Sequence, residues 1–152
     1  MGIWQESNKT LDYLSEKQIA IIGCGSIGSS LARLLVQSGL TYLVLVNPDT
    51  LSPANLSRHA LGSKYINFNK ANALCYLLRE DFPVLYRVIA YNRRFDALGQ
   101  QELDEIAQCD IVLTAGLDIE GDMQVDNWRR MLKAPPVHIC VWVEAFALYG
   151  HT

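Results

Sequence analysis

At 152 residues, with 50% hydrophobic and 19% charged side chains, the chain has the size and composition of one globular domain, able to bury a core without disulfides or metal. A formal charge of -3 without any dense Lys/Arg run excludes a nucleic-acid footprint and a membrane-surface patch, and no run approaches the ~20 apolar residues needed to span a bilayer. The opening MGIWQESNKTLDYLSEK lacks the apolar core of a signal peptide. Cys24, Cys75, Cys109 and Cys140 are scattered, with no C-x-x-C pair and no His at metal-ligand spacing, so no structural zinc site is expected. Free thiols beside apolar elements fit a reducing cytoplasm.

Five short apolar runs, largely β-branched, alternate with amphipathic stretches: IAII at 19–22, YLVLV at 42–46, RVIAY at 87–91, DIVLTA at 110–115 and VHICVWV at 137–143. Such alternation predicts β-α-β units, and near-continuous apolar strands predict burial on both faces. Between the first two strands, SSLARLLVQSG sets Leu31, Leu34, Leu35 and Val36 at helical spacing and stops at Gly39. NKANALCYLLRED reads as a helix with Ala71, Leu74, Leu77 and Leu78 inward, and ALGQQELDEIAQ and DMQVDNWRRMLK fill the later crossovers. Pro135-Pro136 ends the last helix, and Trp128 and Trp142 read as packing residues. The expected fold is α/β, a Rossmann-like, mostly parallel sheet with helices on both faces. Because EAFALYGHT follows the fifth strand directly, the sheet is expected to be truncated there, and residues 1–152 to be a single domain of a longer natural chain.

Gly23, Gly25 and Gly28 fall in the spacing G-x-G-x-x-G between the first strand and the first helix. In that context glycines let the backbone approach a phosphate while the helix N-terminus supplies free N–H groups and partial positive charge. A ligand-free β-α turn is the plain alternative. A dinucleotide site also wants an acid at the end of the second strand for the ribose hydroxyls, and Asn47 stands there. The neutral amide weakens an NAD or FAD reading.

Beyond that point, GCGSIGSSLARLLVQSGLTYLVLVNPDTLSPANLSRHALG followed by NKANAL resembles the adenylating domain of the ThiF/MoeB/HesA and ubiquitin-activating-enzyme superfamily. The pattern of that family is a glycine loop, a second strand ending in D-x-D, then N-x-x-R, and a Lys that opens a helix. Asp49, Asn55, Arg58 and Lys70 match it in order. TAGLDIEGDMQVDNW resembles the segment whose Asp works with magnesium, with Asp118 as the matching residue. RHALG and VWVEAFALYGH are most similar to adenylating domains of bacterial conjugation systems.

The resemblance implies ATP and Mg2+ as cofactors, a ubiquitin-like or sulfur-carrier protein as partner, and a homodimer. It implies that Arg58 and Lys70 bind phosphates beside Asn55, that Asp118 holds magnesium, that Asn47 and Asp49 contact the ribose, and that Ser26 and the loop amides lie near the α-phosphate. The implied reaction is adenylation of a C-terminal carboxylate, which needs charge rather than a general base. Singly, each residue has a plainer reading: Asn55 as a cap, Arg58 and Lys70 as surface charges, Asp118 as a turn opener, His59 as a loop histidine, His138 and Cys140 as core. The chain departs from the family at Asn47, in an N-terminal arm without Arg, and in having neither a downstream catalytic Cys nor zinc pairs. Two alternatives stay open: a degenerate domain serving as a binding or dimerisation scaffold, and an NAD-dependent oxidoreductase.

Overall fold

The computed structural model describes residues 12–143, apart from the Arg58 side chain. The arm before residue 12 and the segment after 143, including most of VWVEAFALYGH, lie outside the described residues. Five parallel strands, β1 (Gln18–Ile22), β2 (Tyr42–Val46), β3 (Arg87–Tyr91), β4 (Ile111–Ala115) and β5 (Val137–Val141), form one sheet in the order β3-β2-β1-β4-β5. The four main helices are α1 (Ser26–Gln37), α2 (Lys70–Asp81), α3 (Gln100–Ala107) and α4 (Ile119–Arg130). Chain order runs outward from β1 to β3 and then restarts on the other side at β4, which opens a crevice between β1 and β4 at their C-terminal ends.

The period of two along each strand divides the core between the two faces. Ile19 and Ile21 of β1, with Leu43 and Leu45 of β2, pack against Ala32 and Val36 of α1 and Leu74 and Leu78 of α2. Ala20, Ile22, Val44 and Val46 face Ile106 of α3 and Val125 of α4. This is the α/β sheet with helices on both faces that the sequence pattern predicts. No helix among the described residues is long and apolar enough to cross a membrane.

Two expectations change in detail. The buried stripe of α1 is Gly28, Ser29, Ala32 and Val36, whereas Leu34 is 57% exposed. Small residues let the helix sit close to the sheet, so the face richest in leucine is not the innermost one. At the far edge, β5 ends at Val141, and Trp142 is exposed rather than packed, while Trp128 stacks edge-on against Phe95 at 5.4 Å between ring centres.

Candidate functional site

The glycine loop leaves β1 through Gly23, whose φ of +103° and whose missing Cβ, which would stand 2.4 Å from the Ala115 carbonyl oxygen, both require glycine. A Cβ on Gly28 would stand 1.8 Å from the Gly23 carbonyl oxygen, so this residue closes the helix onto the loop instead of lining the cleft. Gly25, by contrast, has nothing within 4 Å of its Cβ direction, leaving open space beside the backbone. It caps α1, whose first turn contains no acidic residue, so the free amides at that end present an uncompensated positive pole.

A cleft of about 720 Å3 opens over the ends of β1, β2 and β4, within the usual range of small-ligand sites. Gly23, Gly25, Ser26, Asn47, Asp49, Lys70 and Asp118 all line it. A recess of about 140 Å3 adjoins it, bounded by Gly25, Ser26, Asn55, His59 and Lys70. The predicted residues therefore converge on one place, except Gly28, which supports the loop from behind, and Arg58, whose side chain is not described. Arg58 closes a 3-10 turn, Pro53–Arg58, that also carries Asn55.

Lys70 reaches the cleft because Asn69 ties two elements together. Its Oδ1 accepts the Asn72 N–H at 3.0 Å and caps α2, while its Nδ2 donates to the carbonyls of Asn47 at 2.8 Å and Asp49 at 3.2 Å. The Lys70 N–H adds a bond to the Asp49 carbonyl at 2.9 Å, so the first residue of α2 is pinned to the end of β2. Lys70 makes no ion pair among the described residues, which leaves its charge available to an anion in either cavity.

Asn47 is 5% exposed, and its Oδ1 accepts the Asp49 N–H at 2.8 Å. That donor fixes the amide orientation, so the group left for a ligand is NH2, a donor where a carboxylate would offer an acceptor. The plainer roles are also visible. Asn55 Oδ1 accepts from Ser52 N at 3.2 Å and Ser52 Oγ at 2.8 Å, capping its own turn. Asp118 caps α4, its Oδ1 accepting the Gly121 N–H at 2.7 Å, and its Oδ2 has no hydrogen bond among the described residues. One oxygen thus holds the helix, and the other is available to a hard cation, which suits a magnesium ligand.

His59 is more than a loop histidine. The Leu61 N–H donates to Nδ1 at 3.1 Å, so the ring proton sits on Nε2 and is donated to the Cys24 carbonyl at 2.6 Å. Burial lowers its pKa below the ordinary 6.5, opposed by the Cys24 hydrogen bond, and the Lys70 charge lowers it further. The neutral ring therefore straps the 51–62 loop to the glycine loop, and buried Leu51 and Leu61 anchor that loop to the core. Burial also pushes the Cys24 thiol up to about 12, making it an inert spacer.

The residues that sequence reasoning missed lie beyond β3: Arg93, Arg94, Phe95 and Asp96 line the cleft, as does Gln124. Arg93 donates to Glu102 at 2.7 Å and Arg94 to Asp96 at 3.2 Å. The consecutive arginines directly after a strand were the available signal, since strand C-terminal ends gather at the crevice.

Comparison with known proteins identifies the family and the fold. Residues 3–151 match the ThiF family model. The chain is 33% identical over 114 residues to the ATP-dependent ubiquitin transferase-like protein Cap2 of Vibrio cholerae, an alignment covering 72% of this chain and 19% of that protein. It is 27% identical to ubiquitin-like modifier-activating enzyme 5 of Mus musculus over 136 residues, 84% of this chain and 33% of that one. The chain thus spans a fifth to a third of these relatives. Among solved structures, E. coli MccB with ATP superposes with a TM-score of 0.69 at 21% identity, covering 86% of this chain and 38% of that one, a likeness of fold. By its family match, its sheet order and its glycine loop, the chain belongs to the ThiF family.

Proposed function

We propose that this domain adenylates the C-terminal carboxylate of a ubiquitin-like or sulfur-carrier protein, using ATP and releasing pyrophosphate. The observation that carries the reading is the placement of Lys70, with no ion-pair partner among the described residues, against an acid-free helix N-terminus in a nucleotide-sized cleft. A carboxylate oxygen attacks the α-phosphorus, and the bond from that phosphorus to the bridging oxygen of the β-phosphate breaks. The carboxylate is already ionised at neutral pH, so no proton moves. What the site supplies is cationic compensation of the leaving pyrophosphate.

In this reading the α1 amides and Ser26 receive the α-phosphate, Lys70 and Arg58 hold the outer phosphates beside Asn55, and Asp118 holds Mg2+. The metal supplies charge neutralisation on the phosphate oxygens. Asn47 and Asp49 meet the ribose, and Arg93 and Arg94 add guanidinium groups on the β3 side. Lys70→Ala is expected to lower carrier-dependent ATP–pyrophosphate exchange by at least ~100-fold, and Arg58→Ala likewise. Unchanged exchange in both would refute the assignment.

One observation favours a second reading, a degenerate domain that binds a partner or dimerises without turnover: the acceptor oxygen of Asn47 is spent on Asp49. Calorimetry separates the two, because that reading requires carrier binding without Mg-ATP binding.

A further inference from the structure

A cluster outside the cleft uses residues that the adenylation reading leaves aside. His138 and Cys140 alternate along β5 on the side facing α4, and the Cys140 Sγ lies 3.6 Å from the His138 Nε2. Asp122 approaches from the first turn of α4. One ligand atom from each of Asp122, His138 and Cys140 falls within 4.8 Å of the others. The Asp122 Oδ1 is buried and has no hydrogen-bond partner among the described residues.

A buried carboxylate oxygen left unpaired costs free energy that a cation would recover. The surroundings have the form of a ligand shell. The side chain of His138 is 5% exposed, and its Nδ1 lies 3.7 Å from the Asp126 Oδ1. Asp126 is itself held by Arg129 at 2.9 Å and Arg130 at 2.8 Å. At 3.7 Å the His138–Asp126 contact is longer than a hydrogen bond, but it sets a carboxylate behind the far nitrogen, where closing to hydrogen-bonding distance would orient a metal-bound imidazole.

We propose that Asp122, His138 and Cys140 form a three-ligand site for a zinc-class divalent ion, linking α4 to β5, with a fourth position left to solvent. A thiolate and an imidazole with one carboxylate form a borderline donor set, suited to zinc rather than to magnesium or calcium. Ligand atoms around a tetrahedral zinc lie roughly 3.3–3.8 Å apart, so small side-chain rotations close the site. The Thr114 Oγ1, 3.0 Å from the His138 Nε2, occupies that nitrogen in the metal-free arrangement, and loading exchanges this hydrogen bond for the metal. Sequence spacing hides the site, because an H-x-C pair on one strand and an Asp on the preceding helix match no C-x-x-C rule.

Titration of the 152-residue chain, stripped with chelator, with Co2+ alone tests the proposal through thiolate-to-cobalt charge-transfer absorption. One equivalent is expected to saturate the band. Cys140→Ser should abolish it, and Asp122→Asn and His138→Ala should each weaken binding by at least ~10-fold while circular dichroism stays unchanged. In the unmutated chain, Zn2+ should slow alkylation of Cys140, which is half-buried, while Cys24, Cys75 and Cys109 are buried. No saturable band and no Zn2+ protection in the folded protein would overturn the site. So would a band that survives Cys140→Ser, or one indifferent to both Asp122→Asn and His138→Ala.

Discussion

Two helix N-termini face the same cleft from either side of the β1–β4 crevice, and their chemistry is opposite. α1 begins at a bare glycine with no acid in its first turn, whereas α4 is capped by Asp118 and carries Glu120 and Asp122. Backbone dipoles make both ends positive, but side chains overwrite that at α4 and leave it intact at α1. One end is therefore suited to phosphate and the other to a cation that accompanies it. The pairing teaches that the charge pattern of the site is set less by the sheet than by what each strand-to-helix turn allows at its first residues.

The largest effect is expected at Gly28. Gly28→Ala places a Cβ against the Gly23 carbonyl oxygen, and a destabilisation of about 3 kcal/mol with loss of Mg-ATP binding is expected by thermal unfolding and calorimetry. Asp118→Asn keeps the α4 cap, because Asn caps as well as Asp, yet removes the charge. Exchange activity should fall by roughly 100-fold, with a higher Mg2+ requirement and an unchanged melting temperature.

Asn47→Asp sharpens the contrast in the other direction. The new carboxylate retains one oxygen for the Asp49 N–H and offers the other to a ribose hydroxyl, so ATP should bind about 5- to 10-fold more tightly by calorimetry. Weaker binding would mean that the amide is itself the ribose ligand.

The smallest effect concerns the His59 strap. Its pKa is lowered on folding, so the unfolded chain takes up the proton first, and the contribution of His59 to stability is present above 6.5 and lost as pH falls below it. The melting temperature of the unmutated protein should therefore drop more steeply than that of His59→Gln between about pH 7.5 and about pH 5.5.

Strand positions and both sheet faces were legible because a period of two and near-continuous Val, Ile and Leu runs leave little choice. Helix starts were less so: α1 begins at Ser26 and α4 at Ile119, each three residues before the amphipathic pattern. The first turn of α1 buries Gly28 and Ser29 rather than large apolar side chains, and that of α4 carries Glu120 and Asp122, so apolar periodicity does not report them. The polar residues of the cleft were legible only as an ordered combination. Asn69, whose three side-chain hydrogen bonds place Lys70, gave no signal, because a junction depends on partners remote in sequence. Arg93 and Arg94 lay outside any motif. The Asp122–His138–Cys140 cluster required the packing of α4 on β5, which no spacing rule encodes.

A cleft built for a triphosphate rather than for a dinucleotide should reveal itself in competitive calorimetry on one sample. Mg-ATP should bind with an affinity that falls by at least ~100-fold in Lys70→Ala, while NADH shows no saturable heat. Tighter binding of NADH than of Mg-ATP, or an affinity for Mg-ATP unchanged in Lys70→Ala, would contradict the account.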